Sequence, residues 1–298
     1  MKISKWRIAT ALLALVVVAE GLVQLSGAVD IPVYEANNQI GYIPSPNQSG
    51  SFLHIHDYRF NEYSMGAGLF KPDPVRFNVL LIGDSIVLGG NPLSESARLG
   101  PQLEKLTGWQ VWPISAGSWA LQNELTYMRQ HPDILQKMDA VVILSNSGDF
   151  DEPSSWASGL THPRSHPFPG LPFMVQKYVI GVQPQLVPVE LQVTKRDWHV
   201  DLHEFSKTFK KPIYLFMYPD INEVQDKALL ETRLNSRIPD IQATLEKNAI
   251  VFKVSDYTQW GVPNYRDGIH PNEHGNGELA KIFYTDLCRY ADIKMGCK

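Results

Sequence analysis

From residue 76 onward, short, mainly apolar runs alternate with amphipathic stretches. The runs at 78–82, 110–114, 140–144, 213–218 and 250–254 are too short for buried helices and lack the in–out alternation of a half-exposed strand. They predict five strands covered on both faces. Between them, apolar residues recur at helical spacing over 94–106, 121–130, 200–208 and 224–246, and a last helix is expected at 277–290. Strands that alternate with helices predict an α/β fold of three layers, with a parallel sheet between two layers of helices.

Two stretches fall outside this rhythm. Residues 30–75 are rich in Asn, Gly, Pro and Tyr and lack helical periodicity, which predicts an irregular arm with a short hairpin around Ile40-Gly41-Tyr42-Ile43. Residues 150–198 hold seven Pro and two Trp with no clear period. So long an aperiodic segment inside a domain is characteristic of a lid or binding loop. The expected organisation is therefore an N-terminal segment at 1–29, the arm at 30–75, and one domain at 76–298 carrying the insertion at 150–198.

The N-terminal segment has its own pattern. Lys2, Lys5 and Arg7 precede an apolar run over 8–19, which is interrupted by Glu20 and resumes at Gly21-Leu22-Val23. A basic flank followed by an apolar segment is an export signal, with the basic residues left in the cytoplasm. Two outcomes stand. The small residues Ser26-Gly27-Ala28 offer a cleavage site, whereas the 22 residues from Ile8 to Val29 are long enough for a signal anchor across a core of about 30 Å. Both carry the body of the protein out of the cytoplasm, and the anchor is the preferred reading.

Composition narrows the function classes. A net charge of −4 leaves no basic footprint for nucleic acid. The only cysteines, Cys288 and Cys297, lie at the C-terminus, where an oxidising compartment would allow them to pair. No metal-ligand spacing is present. His199 and His203 would share a helix face but lack a third ligand, and His54, His56, His162 and His166 read as surface or loop residues. No cofactor is implied.

Candidate chemistry begins where the first run ends, at Gly83-Asp84-Ser85, with Gly89-Gly90 close behind. Ligands bind at the carboxyl ends of parallel strands, and a Ser there can present both its hydroxyl and its backbone N–H. Read alone, the triplet is equally a helix N-cap. A serine nucleophile needs a base and an orienting acid, and Asp267-Gly268-Ile269-His270-Pro271-Asn272 supplies both types on one loop. His270 would take the Ser85 proton and Asp267 would hold its tautomer. Asp149, Asp151 and Glu152 form an acidic group near this edge, suited to substrate hydroxyls or to a solvated turn.

Together, Gly83-Asp84-Ser85 and Asp267-x-x-His270 ahead of the final helix resemble the SGNH hydrolase superfamily, the GDSL lipases and esterases, over roughly 76–292. The resemblance implies a three-layer α/β/α domain with a five-stranded parallel sheet, and a Ser–His–Asp triad. It further implies an oxyanion hole made from the Ser85 N–H, a Gly N–H and an Asn side chain. The Gly maps onto Gly117 in Ile114-Ser115-Ala116-Gly117-Ser118. The third block departs from the family's Gly-x-Asn-Asp: here Ser145-Asn146-Ser147-Gly148-Asp149 leaves Asn146 two residues early, with Gly148 in the Asn position. Asn146 is the preferred third donor and Gly148 the alternative. The stretch Phe60-Asn61-Glu62-Tyr63-Ser64-Met65-Gly66 resembles the membrane-anchored bacterial branch, which implies an inner-membrane protein with a periplasmic domain.

The expected function is an extracytoplasmic serine esterase or O-acyltransferase working through an acyl-Ser85 intermediate. The substrate class is an acyl ester, acetyl foremost, on a glycan or another alcohol. A glycan-binding or polysaccharide-assembly protein that keeps the fold without turnover is the alternative.

Overall fold

The computed structural model describes residues 4–247, 251–254 and 260–289, without the side chains of 246, 247, 251–254 and 289. Helix α1 (Lys5–Leu25) is long and apolar enough to cross a membrane, and the apolar stretch that qualifies it is unburied by the rest of the chain. The arm then folds as two antiparallel hairpins. In the first, β1 (Tyr34–Asn37) pairs with β2 (Gly41–Pro44), and the Asn37 side chain closes the turn by accepting from the Gln39 and Ile40 N–H groups. The second, β3 (Gln48–Phe52) with β4 (His56–Phe60), lies where an irregular chain was expected. Its strands contain Gln48, Ser49, Gly50 and Ser51, which give no apolar signal. Asp30 holds them instead, accepting from the Ser51 N–H and the Tyr58 hydroxyl.

The domain runs through β5 (Asn78–Gly83), α2 (Ser85–Leu88), α3 (Leu99–Thr107), β6 (Gln110–Ser115), α4 (Leu121–Gln130), α5 (Pro132–Lys137) and β7 (Ala140–Asn146). After the insertion, which contains α6 (Gly170–Met174) prolonged by a wider turn over Val175–Ile180, come α7 (Trp198–Thr208), β8 (Ile213–Tyr218), α8 (Ile221–Gln225), α9 (Lys227–Arg233), α10 (Ile238–Lys247), β9 (Val251–Val254) and α11 (Glu273–Arg289). The sheet order is β6-β5-β7-β8-β9, and every pairing is parallel. Four of the expected runs form strands of six or seven residues, whereas the last yields only the four-residue edge strand β9. Residue 250, which the fifth run included, and Cys297 with its expected pairing to Cys288 lie outside the described residues.

Side chains alternate between the two faces of the sheet. Leu80, Ile82, Ile143 and Leu215 pack with Leu125, Phe205 and Leu245 from α4, α7 and α10. Val79, Leu81, Val142 and Phe216 pack with Leu103, Leu279 and Phe283 from α3 and α11. Two cores, one on each face, make the three layers.

The helix predicted over 224–246 is broken because Asp226 caps a new start, accepting from the Ala228 and Leu229 N–H groups. The last helix begins earlier than predicted, at Glu273, where the Asn272 side chain accepts from Gly275 N–H.

At the end of β5, Gly83 is set by close approach. A Cβ there would stand 2.6 Å from Val87 Cγ2 and 2.9 Å from the Leu144 carbonyl oxygen. Because backbone cannot give way cheaply, Gly83→Ala is expected to destabilise the detergent-solubilised chain by about 2 kcal/mol in denaturant unfolding. An unchanged midpoint would contradict this packing.

Candidate active site

The carboxyl ends of the parallel strands all lie at one edge, and the loops that leave them carry the candidate residues. Ser85 opens α2 directly after β5 and is half-buried. Asp84 caps that turn by accepting from Ile86 N–H at 2.8 Å. Gly89 closes it, with φ at +77° and its N–H donating to the Ser85 carbonyl at 2.9 Å.

Asp267 and His270 meet within their own loop. The Asp267 carboxylate lies 2.8 and 2.9 Å from His270 Nδ1 and also accepts the backbone N–H of His270 at 2.9 Å. Burial pushes the Asp267 carboxyl up, but the His270 and Ile269 N–H groups and the imidazole together hold it below the usual range. A carboxylate at Nδ1 leaves Nε2 as the ring nitrogen available for proton transfer.

Arg266 ties this loop to the nucleophile turn. Its Nη1 donates to the Gly89 carbonyl at 2.6 Å, and its backbone N–H donates to the His270 carbonyl at 2.9 Å. Tyr218 and Ile221 hold the same loop from β8 and α8, through the Ile269 and Gly268 carbonyls. Among the described residues the Ser85 hydroxyl and the His270 ring share no hydrogen bond. Catalytic hydrogen bonds commonly close only once substrate is bound.

Gly117, in the loop after β6, is half-buried. Neither its N–H nor that of Ser85 donates to another group among the described residues. The third block is different. Asn146 Nδ2 donates to Asp84 and to Asp149, each at 3.0 Å, so both amide hydrogens are engaged. Gly148 N–H donates to Asn146 Oδ1 at 2.8 Å. Both sequence candidates for the third donor are thus committed within the loop.

Asp149 is buried and accepts the Asn146 N–H at 2.7 Å, while Asp151 pairs with Arg237 and Glu152 with Lys195 at the surface. His199 lies between Asp197 and Asp240, with Nδ1 2.7 Å from the first carboxylate and Nε2 3.0 Å from the second.

Three residues here were not expected at the site from the sequence. Arg266 is one. His162 is another: the insertion brings it against Tyr42, with ring centroids 3.9 Å apart, and a Cβ on Gly117 would lie 3.4 Å from its Nε2. Burial, with Lys177 adding to it, pushes His162 down to about 4. Glu124 on α4 is the third. It is fully buried, and neither carboxyl oxygen has a hydrogen-bond partner. The signal was available, because Glu124 falls between Leu121 and Leu125 on the face that packs inward.

Glu124, Asp84 and Asp149 form a buried set whose charges repel one another. Burial pushes Asp84 up to about 7, and it lifts Glu124 and Asp149 well above the carboxylate range. Asp84 has Ile86 N–H and Asn146 as donors, whereas neither Glu124 oxygen has one, so nothing in the fold offsets the cost of ionising Glu124.

A carboxyl raised above its unfolded value of 4.5 stabilises the fold fully below that pH, and the contribution is lost as pH rises toward the folded pKa. Glu124→Gln should flatten the fall in stability above about pH 5 by up to ~1.4 kcal/mol per pH unit. The check is denaturant unfolding of both chains across pH. Parallel curves would show that Glu124 titrates normally.

Comparison with family models and with curated proteins returns no match. Solved structures similar to this chain include a member of the lipolytic protein G-D-S-L family from Veillonella parvula, at 11% identity and TM-score 0.43, covering 72% of this chain and 99% of that one. A carbohydrate esterase family 2 enzyme from Corynascus thermopiles (Myceliophthora fergusii) shows 13% identity and TM-score 0.44, over 74% of this chain and 67% of that one. The salicylyl-acyltransferase SsfX3 from a tetracycline biosynthetic pathway shows 12% identity and TM-score 0.41, over 72% and 55%. Likeness at this level does not assign an activity.

Proposed function

We propose that this chain is an SGNH-type serine esterase or O-acyltransferase, held at the membrane by α1 with its catalytic domain outside the cytoplasm. The observation that carries the reading is the Asp267 carboxylate on His270 Nδ1, in a loop that Arg266 latches to the turn of Ser85. An acid–imidazole pair whose loop is tied to a serine turn at the end of a parallel strand is suited to acyl transfer.

The steps follow from that pair. Ser85 Oγ attacks the acyl carbonyl while His270 Nε2 takes its proton, and the imidazolium is stabilised by Asp267. Negative charge develops on the carbonyl oxygen, where the Ser85 and Gly117 N–H groups are the donors this reading assigns. Collapse breaks the ester bond, His270 returns the proton to the leaving alcohol, and the acyl group stays on Ser85. Water then releases an acid, or a second alcohol carries the acyl group away as a new ester. The proposed substrate class is an O-acylated glycan, which suits an extracytoplasmic site, and acetyl is the first acyl group to test.

Asn146 would serve as third donor only by exchanging its bond to Asp84 or Asp149 for one to the oxyanion. That commitment favours a second reading, in which the same fold binds an acylated glycan without turnover. A fluorophosphonate separates the two. Covalent labelling of Ser85 in the folded chain, absent in Ser85→Ala, is expected for the enzyme, with aryl acetate hydrolysis falling by about 10³-fold or more in the variant. No labelling of the unmodified chain, or a normal rate in Ser85→Ala, would reject it.

A further inference from the structure

The last turns of α1 are built into the insertion. The Glu20 carboxylate accepts the Gly170 N–H and the Leu171 N–H, each at 2.7 Å, and Gln24 donates to Glu20 at 2.8 Å and to the Pro167 carbonyl at 3.4 Å. The approach is close: a Cβ on Gly170 would lie 2.7 Å from Gln24 Nε2 and 3.0 Å from Val23 Cγ1.

Depth follows from length. The 21 residues of α1 extend about 31 Å at ~1.5 Å each, matching a hydrocarbon core of about 30 Å. The run over 8–19, apolar apart from Thr10, extends only about 18 Å and cannot cross alone. Residues 20–25 therefore lie within the outer part of the bilayer, and Glu20 sits roughly 7–8 Å inside the helix end. A carboxylate at that depth requires polar partners, and its partners are the backbone N–H groups of the insertion. Whatever depth Glu20 has, Gly170 and Leu171 share it.

The chain around that contact is apolar and uncovered. Phe168, Tyr178, Ile180 and Val189 are all more than half exposed, as are Val179 at 79% and Leu186 at 96%. Between Glu152 and Glu190 there is no acidic residue, while Arg164 and Lys177 are cationic, which matches an anionic headgroup layer.

We propose that the face of the insertion formed by residues 168–189 lies in the outer leaflet beside α1, so that the domain rests on the bilayer rather than hanging from a free stalk. Anionic phospholipid is the partner. The insertion also carries His162 against Gly117, so the segment that touches lipid continues to the edge of the candidate active site. The inference rests on the anchor reading of α1 and not on the chemistry assigned to Ser85.

The test uses the full-length chain reconstituted in phosphatidylcholine vesicles containing phosphatidylglycerol. Val179→Cys and, separately, Leu186→Cys carry a nitroxide label. Val75→Cys is the water-facing control, since Val75 is 91% exposed on the arm and no free cysteine competes for the label among the described residues. The expected result is an oxygen-to-nickel-chelate accessibility ratio at 179 and 186 at least roughly twofold above that at 75, as for side chains lying in the interface. Ratios equal to the control in chains that resist alkaline extraction would overturn the inference while leaving the anchor intact. Release of the chain by alkaline extraction would overturn both. Dipolar broadening between labels on different chains, with no gain in oxygen access, would assign the face to a second copy and reject the bilayer.

Discussion

Arg266 joins two turns that are 177 residues apart in sequence. The Ser85 carbonyl accepts from Gly89 N–H, the Gly89 carbonyl accepts from Arg266 Nη1, and the Arg266 N–H donates to the His270 carbonyl. His270 in turn rests on Asp267 through Nδ1. A hydrogen-bonded path thus runs from the candidate nucleophile to the candidate base and acid, most of it through backbone groups. Effective acyl transfer demands this kind of fixed geometry, because displacement by about 1 Å can cost two orders of magnitude in rate. The parallel sheet makes the arrangement possible by ending its strands at one edge, and the arginine fixes the spacing between two of the loops found there.

Beneath that edge, the fold carries a cost. Three carboxyl groups are buried close enough to repel one another, and Glu124 has no donor at all. Such groups survive inside a core only by remaining protonated or by sharing donors. Asp84 caps the turn of Ser85 and accepts from Asn146, so one residue serves both the backbone geometry of the nucleophile and the orientation of the third block. That same bond engages the Asn146 amide that the resemblance assigns to the oxyanion hole. The buried acids and the candidate oxyanion hole are therefore one coupled problem rather than two separate ones.

Much of the layered domain was legible in the sequence because its strands are buried on both faces and so read as short, mainly apolar runs. Leu121–Gln130 was legible to the residue because its apolar positions repeat at helical spacing. The hairpin over 48–60 was not, since Asp30 and Tyr58 fasten a strand of Gln, Ser and Gly that has no hydrophobic pattern. In the site, the three-residue spacing from Asp267 to His270 already brings the carboxylate beneath Nδ1. The latch could not be read, because an arginine beside an aspartate carries no mark of a carbonyl 177 residues away. Contacts between distant loops arise only from the fold that brings them together, and that is equally why the place of His162 against Gly117 could not be read, whereas Glu124 on the inward face of its helix could have been.

The central claim is that the loop holding Asp267 and His270 activates Ser85 for acyl transfer. Intact-protein mass spectrometry after acid quench tests it directly, with the chain mixed against an O-acetylated glycan or an activated acetyl ester. The account predicts an acetyl adduct that maps to Ser85, builds up before turnover, and fails to form in Asp267→Asn or His270→Ala. An adduct on another residue, or acyl transfer that proceeds unimpaired in those variants, would contradict it.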